Sequence, residues 1–130
     1  MTLRVTTKIL QDGPRSVVVR FTGTVHTDTT GAETTVVKLD ASSLNPPATE
    51  LRVDRMWYSN TTLGTYIEFD GTTNGLISAI PEGEGYQDWR CFGGLPDNST
   101  GTQTKNIVLT TGITLVVGAS YNIILDLKKS

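Results

Sequence analysis

The chain has 130 residues, 37% of them hydrophobic and 18% charged, which suits one domain with one core. Its net charge of -2, with no basic cluster beyond Lys128-Lys129, excludes the positive footprint on which direct nucleic-acid binding rests. A single cysteine excludes an internal disulfide, and one cysteine with one histidine excludes a nitrogen-and-sulfur metal cage.

In chain order, "MTLRVTTKILQDG" (1–13) holds no apolar run long enough for a signal-peptide core, and no later stretch has the length to cross a membrane. A product made and kept in a cytoplasm, with no membrane partner, is the expectation. A first strand is expected over Arg4 to Leu10, with residues 1–8 read as an arm able to move, and Asp12-Gly13-Pro14 forms a turn. In 16–25, Val17, Val19, Phe21 and Val25 alternate with Arg20, Thr22 and Thr24, the period of a half-buried strand. A further strand, 34–40, follows "HTDTTGAE", and Pro46-Pro47 then interrupts any ladder, because neither proline can donate to it.

Next, "LRVDRMWYS" (51–59) and "TYIEFD" (65–70) read as a hairpin across "NTTLG", and "FDGTTNGLISAI" (69–80) extends it into a three-strand meander. Residues 81–103 read as one long loop. "KNIVLTT" (105–111), "ITLVVG" (113–118) and "SYNIILDLKK" (120–129) supply the last strands, and no helix longer than a few turns is expected. About eight short strands in one domain (1–130) predict an all-β, antiparallel two-sheet β-sandwich, Greek-key or jelly-roll-like, with a small closed barrel as the other arrangement. The spacing of Leu115, Gly118 and Tyr121 is similar to the tyrosine corner of immunoglobulin-like sandwiches.

The candidates for chemistry are thin. His26 has Asp28 near enough to orient it, but no serine or threonine sits in a nucleophile elbow, and a solvated turn histidine is the expectation. Glu82, Glu84 and Asp88 lie beside Tyr86 and Trp89 as paired carboxylates do in glycosidases, yet they alternate with glycine as solvated loop charges do. The turns "DGTTNG" (70–75) and "PDNST" (96–100) are oxygen-rich enough for calcium, though without the spacing of a strong loop, and Asx turns use the same residues. Gly83, Gly85, Gly93 and Gly94 precede no helix that could cradle phosphate. No catalytic residue, cofactor or metal ligand is therefore expected.

Segment 82–94, "EGEGYQDWRCFGG", raises the sharpest question. Tyr86, Trp89 and Phe92 recur every third residue, and covering three rings removes several hundred square ångströms from water, about 5 kcal/mol. They fold over an open end of the sandwich, with Cys91 as a small hydrophobe, or they meet another subunit. Val18, Val36, Val108, Val116 and Ile124 fall in the phase opposite to the core-facing residues, so part of the outer sheet surface is expected to be apolar. Tyr86, Trp89, Phe92, Val18, Val36 and Ile124 are the candidate interface.

Stretches such as "RFTGTVHTDTTGAETTVVKLD" and "LRVDRMWYSNTTLGTYIEFDG", in an acidic, Thr/Gly-rich β chain without catalytic residues, resemble small virion proteins of tailed bacteriophages, most of all capsid decoration (cement) proteins. The resemblance implies a non-enzymatic subunit that binds the outside of an assembled capsid, often as a homotrimer, with the major capsid protein or other virion subunits as partners. The N-terminal arm would then add an edge strand to a neighbour, and the aromatic segment would anchor. The competing reading is a carbohydrate- or receptor-binding module of a phage tail or fibre, with Trp57, Tyr58 and Trp89 as stacking platforms. Neighbours in a strand face opposite sides, so one of Trp57 and Tyr58 must point outward. A small hydrolase using the loop carboxylates is a third reading.

Overall fold

The computed structural model describes residues 4–24, 36–40, 42, 44, 50–61, 65–80, 82–111 and 119–129. Among them, nine strands form two antiparallel sheets: β1 (Arg4–Asp12), β2 (Ser16–Thr24), β3 (Val36–Leu39), β4 (Leu51–Thr61), β5 (Thr65–Phe69), β6 (Gly75–Ile80), β7 (Gly83–Asp88), β8 (Ile107–Thr111) and β9 (Ser120–Lys129). The five-stranded sheet runs β1-β2-β9-β4-β7 and the four-stranded sheet β3-β8-β5-β6. The expected all-β sandwich is what forms.

The pairing fixes the topology more closely. β2 pairs with β9, β3 with β8, β4 with β7 and β5 with β6. Four nested antiparallel pairs of this kind describe one long hairpin wound round a core, which is the jelly roll. β4–β9 and β5–β8 pairing completes each sheet, and β1 is an added edge on β2.

Alternation builds the core. Val17, Val19 and Phe21 on β2, Met56 on β4, Ile67 and Phe69 on β5, and Ile123, Leu125 and Leu127 on β9 are all buried, facing inward from the two sheets. Each such side chain is worth about 1.5–3 kcal/mol against exposure. At the open edge, β1 carries a bulge between Ile9 and Gln11. The extra residue, Leu10, is 46% exposed, and a bulged edge resists pairing with another chain.

Several expectations are corrected. Residues 4–8 are not a loose arm: they pair along β2 from Arg4↔Thr24 to Lys8↔Arg20. The expected hairpin of 51–59 with 65–70 does not form, because β4 and β5 lie in opposite sheets. In a wound hairpin successive strands cross from sheet to sheet, and only the tip, β5–β6, turns back on its neighbour. The expected loop 81–103 contains a strand, β7, and a 3-10 turn over Arg90–Phe92. Val108, expected outward and exposed, is 1% exposed. His26, Asp28, Pro46-Pro47, and the Leu115, Val116 and Gly118 readings lie outside the described residues. Tyr121 of the proposed corner is buried and pairs with Gly23.

Candidate functional site

The outer face of the five-stranded sheet is a grid written by the register. One row crosses Gln11, Val18, Asp126, Arg55 and Asp88; the next crosses Lys8, Arg20, Ile124, Trp57 and Tyr86; the third crosses Thr6, Thr22, Asn122, Ser59 and Glu84. Hydrophobic, charged and hydroxyl side chains thus stand within a strand spacing of each other.

Trp57 occupies the centre of the aromatic part. Its ring lies 5.3 Å from that of Tyr86, tilted by 34°, and the Arg55 guanidinium sits 5.0 Å from its centroid. Arg55 is itself fixed: Nε and Nη2 both donate to Asp126 Oδ2, at 2.8 and 2.6 Å. That bond raises the pKa of Arg55, burial opposing it. Tyr86 is anchored too, its hydroxyl donating to Asp88 Oδ2 at 3.1 Å. Tyr86 is thus held by a charge-assisted hydrogen bond, and Trp57 by the cation–π contact of an ion-paired Arg55.

A depression of about 470 Å³ opens over these residues, lined by Trp57, Ser59, Glu84, Tyr86, Asn122 and Ile124, together with Tyr58 and Gly85. A smaller one, about 170 Å³, lies across the same face between Thr6, Lys8, Arg20 and Thr22. Arg20 Nε donates to Asn122 Oδ1 at 3.0 Å, on the boundary between the two.

The segment 82–95 is fastened to β4 along its length. β7 follows β4 from Asn60↔Gly83 to Arg55↔Asp88, the Trp89 N–H donates to the Asp54 carbonyl at 2.8 Å, and Leu95 exchanges two backbone bonds with Val53 at 3.0 and 2.8 Å. Between these, the Trp89 carbonyl accepts from the N–H groups of Phe92 and Gly94, each at 3.0 Å, and Gly93 closes the turn at φ 80°. The Asp88 carboxylate grips Arg90 through Nε and Nη2 and accepts its backbone N–H. The Arg90 guanidinium, then its backbone N–H, hold the Asp88 carboxyl well below the usual carboxylate range, and the same pair raises Arg90.

Trp57 points outward, as one of the Trp57/Tyr58 pair had to. Tyr58 pairs with core residue Ile123 and, like Trp89, is half-buried and packed against the core. Tyr86 (48%) and Phe92 (80%) are exposed, Val18 and Ile124 half-buried on the outer grid, and Val36 is placed only by its backbone pairing with Leu109. Cys91, read as a small hydrophobe where the segment folds over the end of the sandwich, is exposed. Tyr86 as Trp57's ring partner was missed, since nothing in 82–94 signals a strand.

The carboxylates do not converge. Glu82 and Glu84 are exposed, and Asp88 is engaged by Arg90. The two oxygen-rich turns do meet: Thr73 and Thr100 exchange backbone bonds, Asn98 Nδ2 reaches the Leu76 carbonyl, and Thr104 Oγ1 donates to Asp70 Oδ2 at 2.7 Å. Within the second turn, Asp97 Oδ1 accepts from the N–H and hydroxyl of Ser99, while Asp97 Oδ2 is buried without a hydrogen-bond partner among the described residues. Among the described residues, no group of three His, Cys, Asp or Glu side chains stands close enough to share a metal ion. No family model matches the chain, and no curated protein matches it.

Proposed function

We propose that the chain is a non-enzymatic structural subunit of a virion that docks on the outside of an assembled shell as a decoration protein. Phe92 carries the reading. It is 80% exposed at the tip of a turn that the Asp88–Arg90 clamp and three backbone bonds hold away from the core, with Trp89 as the plug beneath. In the free chain the ring stands largely in water. Such a side chain is a preformed anchor, and seating it in a partner's pocket removes apolar surface from water at little entropic cost. The architecture adds support, since jelly rolls recur among viral capsid and lectin domains, although a fold alone does not choose between them.

The proposed partner is the major shell protein, and the proposed assembly is a homotrimer, in which three modest contacts act together through effective concentration. Two measurements test this. Quantitative mass spectrometry of purified virions reads the copy number of this chain against the shell subunit, and co-sedimentation with shells lacking it reads binding directly. Phe92→Ala is expected to weaken the co-sedimentation. Failure of the intact chain to pellet with such shells, together with its absence from virions, removes the proposal.

A further inference from the structure

The grid on the five-stranded sheet is a second surface, independent of Phe92. We propose that it binds an acidic oligosaccharide, with one pyranose stacked on Trp57 beside Tyr86 and a carboxylate or sulfate further along the chain held by Arg20 and Lys8.

A pyranose offers a patch of C–H groups on one face and hydroxyls round its rim, so it needs an aromatic surface beside groups that donate and groups that accept. The larger depression supplies these: Trp57, Tyr86 and Ile124 form an apolar floor, and Ser59, Asn122 and Glu84 form the polar rim. The rings are already held by Arg55 and Asp88, so little side-chain freedom is lost on binding.

Charge assigns the acidic end. On this face Asp126 is paired with Arg55 and Asp88 with Arg90. Lys8 and Arg20 have no carboxylate partner among the described residues, and both line the smaller depression with Thr6 and Thr22. Glu84, at the other end, repels an anion and accepts from hydroxyls. Lys8 and Trp57 are three strands apart in one row, about 14 Å at the usual strand spacing, which a short run of sugar units spans. The resulting site is directional: a ring at β4–β7 and an anion at β1–β2.

The experiment is a glycan array carrying uronate, sialate and sulfated oligosaccharides beside uncharged counterparts, probed with the intact chain and with variants whose melting temperatures confirm folding. Charged glycans are expected to be retained in preference to the uncharged ones. Trp57→Ala is expected to reduce retention roughly tenfold, as loss of one stacked ring should, while Trp57→Tyr preserves most of it. Arg20→Gln is expected to reduce it several-fold, and raising salt from about 50 to about 500 mM should have a similar effect. Phe92→Ala should bind glycans like the intact chain, which separates this site from shell docking. Equal retention of uncharged glycans, retention unchanged by Trp57→Ala or Arg20→Gln, or no charged glycan retained would each overturn the proposal. So would light scattering in which the chain self-associates and Trp57→Ala abolishes it, because the face would then join copies of this chain.

Discussion

Tyr58 lies across Gly85, its paired neighbour on β7, so closely that a Cβ at residue 85 would stand inside the phenol ring and its hydroxyl. The missing side chain lets the edge strand approach β4 while Tyr58 keeps its place against the core. Gly85→Ala is therefore expected to destabilise the protein by about 1–3 kcal/mol, the usual cost of overpacking, as read by urea denaturation. Because β7 carries Tyr86, the same variant should also change the fluorescence of Trp57. An unchanged midpoint would show that β7 shifts freely.

The last residues of β9 are tied to the end of β1. The Lys129 ammonium, its side chain 4% exposed, lies 2.5 Å from Asp12 Oδ1, and the Lys129 N–H donates to the Arg15 carbonyl. Removing the carboxylate leaves an ammonium buried without it, so Asp12→Ala is expected to cost about 3 kcal/mol. Lys129→Met should cost less, because Asp12 is the more exposed partner. Denaturation midpoints in the reverse order would refute this account.

The Asp88–Arg90 clamp predicts a pH dependence. The folded-state pKa of Asp88 is depressed, so its contribution is present above the unfolded value of about 3.9 and is lost only as pH falls towards the folded value. The carboxyl carbon of Asp88 is expected to show no protonation shift in NMR spectra down to pH about 3, where an unperturbed aspartate is mostly protonated. Asp88→Asn should remove that part of the acid response and loosen Tyr86, whose hydroxyl donates to the same carboxylate.

Phe92 and Trp89 should separate cleanly although they are three residues apart. Phe92→Ala is expected to leave stability within about 0.5 kcal/mol, as surface changes do, while Trp89→Ala, which removes a ring packed against the core, should cost about 2–4 kcal/mol. Melting curves of the two variants decide it.

Strands with one dry face were readable from the amino acids. β2 shows this, since Val17, Val19 and Phe21 keep period two against Arg20 and Thr22, and β9 does the same from Tyr121 to Leu127. β7 was not readable. Gly83 to Asp88 buries no side chain and pairs on one side only, so it carries no alternation to detect, and its identity comes entirely from the backbone of β4. The β4–β5 error has a different origin: period reveals which residues face inward but not which sheet a strand joins. Both strands point apolar residues at one core from opposite sides. The outward Trp57 followed from strand geometry, whereas the engagement of Tyr58 and Trp89 depended on how closely β7 and its turn approach β4.

The position of β9 between β2 and β4 sets a timetable for the nascent chain. Both neighbours take their central partner from residues 120–129, so the larger sheet cannot assemble on a ribosome that has yet to release that segment. Until then Val17, Val19, Phe21 and Met56 have no β9 to pack against, and the emerging polypeptide must be kept from clumping by its hydrophilic stretches or by a chaperone.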